Sequence, residues 1–291
     1  MTNEIIGFII RIPQCEITFR IKEGLEIKSI CAVKKNSETD IDIVEKQLKE
    51  MNTNEHKVKV LYGGVCGTDM KLIEGKYPID DNKLPLTIGH EFVGRIEQVS
   101  NDSEAFQVGD YIVGKPTLKS CMECENCKSG YINLCKDRER LGINVDGAFT
   151  EYINLSEKSL IKVNFLKDVK NGVWLEPISV VARGINTLKL KPNYSVLVAG
   201  AGAIGVLTIL MLKDYGVDIT VLGLESDCTI LEYLKENQFI DGYMIKSSGS
   251  ENYNAVIDCT GNENAINNLL NLSANRAQVL LLGTNKFNMN I

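Results

Sequence analysis

Ser195-Val-Leu-Val-Ala-Gly-Ala-Gly-Ala-Ile-Gly-Val-Leu-Thr-Ile-Leu-Met-Leu-Lys213 decides the fold of the second half of the chain. An uncharged apolar run from Ser195 to Leu212 is long enough to raise the question of a membrane span. The glycines give a better account. Gly200, Gly202 and Gly205 form Gly-x-Gly-x-x-Gly between an apolar strand and an apolar helix. In that setting the three glycines acquire a mechanism: a tight turn, room for a pyrophosphate, and amides at a helix N-terminus to hold it. A doubly wound parallel sheet that binds a dinucleotide follows, and no membrane segment is expected.

The strand after this helix, Ile219 to Leu222, ends at Gly223, where an NAD-preferring protein usually places an acid for the adenosine ribose. Glu225 reaches the ribose from two residues on. Gly223 and Ser226 leave space for a 2′-phosphate, but no Arg stands nearby to pair with one, so NAD and NADP both remain open. Residues 255–262 and 278–284 supply two further strands, whose ends at Thr260, Gly261 and Gly283 are expected to line the cofactor crevice.

Upstream, the sequence changes character between Val163 and Asp168, which places the domain boundary at 165/166. Glu176 then stands in an apolar run beside Pro177, a residue suited to the first turn of a helix. The carboxylate is either a helix N-terminal acid stabilised by the macrodipole or a buried acid that needs a cationic partner.

Residues 1–165 read as a mostly β domain. Lys57 to Tyr62 alternates charge with Val and Leu and so forms a strand that delivers Cys66 to its end. Cys66 and His90 offer the thiol and imidazole that Zn²⁺ prefers, each flanked by glycines (Gly63, Gly64 and Gly67; Gly89 and Gly94). Asp69 is placed to accept the second ring N–H of His90 and fix its tautomer. Residues 92–113 read as strand, turn, strand. Residues 5–33 read as short strands broken at Gly24, and Asp40 to Met51 as a short amphipathic helix or an exposed connection.

Cys121, Cys124, Cys127 and Cys135 stand at Cys-x2-Cys-x2-Cys-x7-Cys, a spacing that wraps four thiolates around one tetrahedral ion. With no open position and no adjacent acid or base, such a site holds a lobe together. An iron–sulfur cluster and a nucleic-acid zinc ribbon are the rival readings. A formal net charge of −6, with no basic aromatic patch, argues against nucleic acid. Nine cysteines, four of them crowded together, fit metal ligation in a reducing compartment. The start, Met-Thr-Asn-Glu, has no basic region followed by an apolar core, and a cytoplasmic protein is expected.

Cys-Gly-Thr-Asp at 66–69, Gly-His-Glu at 89–91, the four-cysteine run and the glycine loop follow one another in the order found in the zinc-dependent medium-chain alcohol, polyol and sugar dehydrogenases, which this chain resembles. The resemblance covers roughly residues 57 to 284. It implies a GroES-like catalytic domain followed by a Rossmann domain, one catalytic and one structural Zn²⁺, and NAD or NADP as cofactor. The four cysteines match the structural site; Cys66, His90 and either Glu176 or Glu91 match the catalytic one. Glu176 is preferred, because its apolar surroundings leave a carboxylate few partners other than a cation. Thr68 would pass the substrate proton outward. Lys71 stands where the family often carries a histidine at the outer end of the relay. The expected reaction is hydride transfer between a small secondary alcohol, of polyol, sugar or amino-sugar alcohol type, and NAD(P). Relatives continue for several dozen residues beyond the position of Ile291, with strands that form dimers. Their absence frames the alternative, a zinc- and dinucleotide-binding protein without turnover, and leaves homo-oligomerisation a possibility.

Overall fold

The computed structural model describes residues 9–12, 15–18, 28–34, 41–100, 103–245 and 252–283. It divides into two compact units, Met1–Glu176 and Pro177–Ile291. The division lies eleven residues past the change of sequence character, because the 3₁₀ turn Val169–Trp174 packs under the first sheet through Val169 and Val173.

In the first unit, strands β1 (Ile9–Ile12) and β2 (Cys15–Thr18) form a hairpin. Strand β3 (Lys28–Lys34) lies between β4 (Asp42–Gln47) and β6 (Leu86–Thr87). Of the strands expected over 5–33, residues 9–12, 15–18 and 28–33 are strands, while 5–8, 13–14, 19–27 and the break at Gly24 lie outside the described residues. The helix or connection expected over 40–51 is instead the strand β4, paired antiparallel with β3 from Lys28↔Gln47 to Val33↔Asp42. The β-branched pair Ile43-Val44 suits a pleated surface, and half-buried Val44 and Lys46 alternate with exposed neighbours at period two.

The main sheet is antiparallel, in the order β11 (Tyr152–Ser156), β5 (Glu55–Gly64), β7 (Glu91–Gln98), β8 (Tyr111–Gly114), β12 (Leu160–Lys162). Val58, Val60, Phe92, Ile96, Ile112, Ile153 and Leu155 fill its core. The register sets Gly64 opposite Glu91, so the chain leaving β5 toward Cys66 passes beside the chain entering β7 from His90. Helix α1 (Gly67–Ile73) follows at once. The short strands β9 (Thr117–Lys119) and β10 (Glu139–Arg140) bracket the cysteine-rich lobe, which contains helix α2 (Glu125–Lys128).

The second unit carries a parallel sheet in the order β15 (Gly242–Met244), β14 (Asp218–Leu222), β13 (Ser195–Ala199), β16 (Tyr253–Asp258), β17 (Ser273–Leu281). Helices α3 (Leu175–Ile185), α4 (Ala203–Leu212), α5 (Cys228–Glu236) and α6 (Glu263–Asn271) accompany it. Alternate residues of β13 serve opposite faces. Val196 and Val198 join Ile209, Leu212, Leu231 and Leu234, while Leu197 and Ala199 join Leu269 and Leu272. The apolar run at 195–212 is thus a five-residue strand and a ten-residue helix. Among the described residues no helix is long and apolar enough to cross a membrane.

Asp110 pins the β7–β8 turn. It is 2% exposed, pairs with Lys162 Nζ at 2.7 Å, and accepts from Gln107 N at 2.9 Å and Asn164 Nδ2 at 2.8 Å. Burial alone would raise its pKa, but these three donors outweigh burial and hold it below the ordinary 3.8. A depressed folded pKa contributes stability above the ordinary value, and that contribution is lost as pH falls below 3.8. Asp110→Asn is therefore expected to cost about 1–3 kcal/mol near neutral pH. Urea midpoints of the variant and the native chain should converge in acid, where the native carboxyl is also neutral; a constant gap would contradict the charged pairing.

Candidate metal centres and dinucleotide loop

Cys66 closes the first turn of α1: its Sγ accepts from Thr68 N at 3.5 Å, while Asp69 Oδ2 accepts from Cys66 N at 2.8 Å. The other oxygen of Asp69 faces His90 Nδ1 at 3.4 Å, at the outer edge of hydrogen bonding. Neither atom has another partner, and both are buried. With Nδ1 turned to Asp69, Nε2 is the nitrogen left for an ion. Ligand atoms of Cys66, His90 and Glu91 all lie within 4.8 Å of one another. Glu176 is outside that set but close enough for charge coupling: its charge raises the pKa of Glu91, and the charges of His90 and Asp69 act on it in turn. Of the two carboxylates, Glu91 is the one whose oxygen lies within 4.8 Å of both Cys66 and His90 ligand atoms.

The electrostatics of this centre ask for a cation. Burial disfavours the imidazolium of His90, yet hydrogen bonds and charge from Asp69 and Cys66 prevail and raise its pKa to about 11. Burial raises Glu91 to about 7, with His90 opposing and Glu176 adding. Glu176 is raised by burial, again against the pull of His90. A divalent cation bound by these soft and hard donors fits a site in which burial and mutual repulsion of acids disfavour unpaired negative charge.

His90 is positioned by a backbone contact between three glycines. Gly89 has φ +95°, and a Cβ there would lie 2.2 Å from the ring of Phe149. A Cβ on Gly142 or on Gly147 would come within 2.3 Å of Gly89 O. The strap 147–149 then bonds to 87–89 through Gly147 N to Thr87 O, Ala148 N to Gly89 O and Phe149 N to Ile88 O. Gly142, Gly147 and Phe149 thus support His90 from behind; the Asp-Gly-Ala-Phe run at 146–149 marks a turn, and nothing in it names its partner. The other histidine, His56, is a buried structural group between Ser100 N (3.1 Å) and Glu157 (3.2 Å).

In the cysteine lobe the four sulfurs also lie within 4.8 Å of one another, with Cys121 at 3.9 Å from Cys127 and 3.5 Å from Cys135. Four sulfurs at about 2.3 Å from one tetrahedral ion would be about 3.8 Å apart. The spacing leaves room for a single ion and none for a multi-iron cluster. Amides of Cys121 and Cys124 point at the sulfurs of Cys135 and Cys121, as thiolate ligands require. These amides do not serve all four alike: hydrogen bonds from the Glu123 and Cys124 amides lower the Cys121 thiol to about 7, while burial raises Cys127 to about 11.

In the second unit the glycine loop divides three tasks. Gly200 turns at φ +96°, a Cβ on Gly205 would strike Gly200 O at 2.0 Å, and a Cβ on Gly202 would enter open space. Gly202 is the N-cap of α4, and no side chain caps that end, so the helix amides and the space before them suit a pyrophosphate. Thr260 and Gly283 stand at the ends of β16 and β17, tied by Asp258, a fully buried carboxylate absent from the expected site. It accepts from Thr260 N (3.0 Å), Thr260 Oγ1 (2.6 Å) and Gly261 N (3.0 Å). Its signal was an acid closing the apolar run Ala-Val-Ile. Gly223 is buried, and a Cβ there would point at Leu231 Cδ1, 2.7 Å away. A side chain at 223 would have to displace the end of Leu231, whereas Glu225 and Ser226 beside it are both exposed.

Residues 52–165 match the family model of the alcohol dehydrogenase GroES-like domain. The chain is 31% identical over 237 residues to a sorbitol dehydrogenase of Halalkalibacterium halodurans, covering 78% of this chain and 68% of that protein. It is 27% identical over 252 residues to a 2-dehydro-3-deoxy-L-galactonate 5-dehydrogenase of Pseudoalteromonas atlantica, covering 83% and 72%. An alcohol dehydrogenase of Escherichia coli solved with NADH superposes with a TM-score of 0.77 at 26% identity, covering 87% of this chain and 76% of that one.

Cys124→Ser should remove one metal ion per chain and lower the thermal midpoint, because a structural ion contributes directly to folding free energy. Metal analysis alongside calorimetry checks both. Full metal content with an unchanged midpoint would rule out the four-thiolate site.

Proposed function

The chain belongs to the zinc-dependent medium-chain dehydrogenase family, and from that premise we propose that Cys66, His90 and Glu91 form its catalytic metal centre, acting on a secondary alcohol of polyol or sugar type. The protein is an NAD(P)-dependent alcohol oxidoreductase. The observation that carries the assignment is the convergence of three donor atoms within 4.8 Å, on residues of which two are met by the buried Asp69, at Cys66 N and His90 Nδ1. Cys66, His90 and Glu91 would hold a Zn²⁺ ion, which would supply Lewis acidity toward a substrate hydroxyl, and a bound nicotinamide would supply the hydride acceptor.

The chain's own groups supply the rest. Asp69 fixes the tautomer of His90 and steadies the turn that carries Cys66. Thr68 and Lys71 lie three residues apart on α1 and so share a face; the Thr68 hydroxyl takes the substrate proton and Lys71 marks the outward path. Glu176, raised by burial, is a spare acid beside the centre that orients substrate or water. The thiolates of Cys121, Cys124, Cys127 and Cys135 hold a structural Zn²⁺. Amides of the Gly200–Gly205 loop hold the pyrophosphate, Glu225 and Ser226 face the adenosine ribose, and Thr260 and Gly283 border the crevice.

Glu91→Gln should lose the catalytic ion and lower turnover at least about 100-fold, whereas Glu176→Gln keeps both zinc ions. Zinc content and kcat on sorbitol decide between the carboxylates; the reverse pattern would move the ligand to Glu176. Glu225→Gln should shift the NADP to NAD ratio of kcat/KM upward about tenfold, by removing a hydrogen bond to the ribose and a charge that repels a 2′-phosphate. An unchanged ratio would remove Glu225 from the ribose site.

A further inference from the structure

Position 223 follows the last residue of β14, and backbone bonds fix its place against the glycine loop: Gly200 N donates to Leu222 O at 2.8 Å, and Gly223 N to Met244 O at 3.0 Å. This is where a dinucleotide fold sets the acid that bonds the adenosine ribose. Glycine has no side chain to offer there. A carboxylate reaches the place from four residues on. Asp227 Oδ2 stands 3.3 Å from where a Cβ on residue 223 would lie, and Asp227 Cβ 3.5 Å from it.

Asp227 differs from an ordinary helix cap. It is the N-cap of α5, a position where an aspartate usually accepts from the amides of its own helix, yet its side chain makes no such bond. It turns back instead, and Oδ2 accepts from Leu224 N at 2.9 Å. Among the described residues Oδ1 meets only Ser226 Oγ, at 3.5 Å, the outer limit of hydrogen bonding. A carboxylate offers about four lone-pair sites, so acceptor capacity is left over. Residues 224–226 are exposed and Asp227 is half-buried, which holds the carboxylate in place at the edge of solvent.

Among the described residues no cation pairs with Asp227 or with Glu225. The nearest lysines or arginines in sequence are Lys213 and Lys235, and these turn to Gln238 O and to the ring of Tyr243. A 2′-phosphate at the end of β14 would therefore meet two carboxylates and no counter-charge.

We infer that Asp227 is an acid of the ribose site, standing in for the side chain that Gly223 lacks, and that it turns the choice of cofactor toward NAD. This rests on the reading of the Gly200–Gly205 loop as the dinucleotide site. To the exposed Glu225 it adds a second acid, one whose place is fixed by the backbone of the turn. An acceptor already held in position loses less freedom on binding than a mobile one.

NADH and NADPH, which differ by the 2′-phosphate, are the probes. Their binding to the zinc-loaded full chain is measured by nicotinamide fluorescence, independently of turnover, alongside kcat/KM for NAD and NADP on sorbitol. The native chain should bind NADH at least about tenfold more tightly than NADPH. Asp227→Asn keeps the shape and an oxygen for Leu224 N but removes the charge, and should shift the affinity ratio about tenfold toward NADPH. Asp227→Ser, whose hydroxyl can still accept from Leu224 N, should shift it the same way, and decides the matter should the asparagine variant fail to fold. Asp227→Glu, which keeps the charge, should retain a preference for NADH. A role confined to the turn would lower the thermal midpoint and weaken both cofactors alike. An unchanged ratio in the asparagine and serine variants, or a native chain without preference, would overturn the assignment of Asp227 and leave the dinucleotide site intact. Failure of the native chain to bind either probe would overturn the dinucleotide reading itself, and this assignment with it.

Discussion

The carboxylate of Asp69 is the constraint on which the first unit is organised. It is fully buried, and its two oxygens serve two different segments, the amide of Cys66 at the start of α1 and Nδ1 of His90 at the entry to β7. A buried carboxylate is tolerated only where donors or a cation meet it, so Asp69 is stable only when both segments are in place. The register of β5 against β7 brings them there, with Gly64 opposite Glu91. Behind them, contact of Gly142 and Gly147 with Gly89 prevents His90 from moving back. The fold thus brings Cys66, His90 and Glu91 together at one place, with their potential ligand atoms within 4.8 Å of one another.

That arrangement has an electrostatic consequence. The centre gathers a thiol, an imidazole and the acids Asp69, Glu91 and Glu176 in a partly dehydrated space. Asp69 and Cys66 raise the pKa of His90 to about 11 against its burial, and burial raises that of Glu91 to about 7. Metal binding displaces protons from such a site, so affinity rises with pH. The cysteine lobe solves a different problem. Its hydrophobic content is small, with Met122, Tyr131 and Leu134 at least half exposed, and four converging thiolates around one ion replace the core the lobe lacks. One centre has three donors and a neighbouring acid, suited to substrate exchange; the other is closed.

What could be read in the sequence follows how local the determining contacts are. Cys121 to Cys135 and Gly200 to Gly205 each complete their geometry within fifteen residues, so spacing alone foretells the converging sulfurs and the open helix N-terminus. Cys66 and His90 stood out because glycines flank each of them and each lies in a short motif, Cys-Gly-Thr-Asp and Gly-His-Glu. The choice between Glu91 and Glu176 was not legible, because it depends on the β5–β7 register, which spacing does not reveal. Nor was the inward direction of Gly223, set by Leu231 on the following helix, or the strand at 42–47, whose Ile-Val pair fits either period until β3 supplies the partner. Gly142 and Gly147 matter only through Gly89, more than fifty residues away, and no local pattern announces that contact.

The central claim is that folding presents Cys66, His90 and Glu91 as one ligand set for a catalytic ion. Anomalous diffraction at the zinc edge, on crystals of the zinc-loaded protein, tests it most directly. The account requires two peaks. One should lie among the four cysteine sulfurs. The other should lie about 2.3 Å from Cys66 Sγ and about 2.0–2.2 Å from His90 Nε2 and a Glu91 oxygen, with Asp69 on the far side of the imidazole. A single peak, or a second one ligated by Glu176 in place of Glu91, would contradict it.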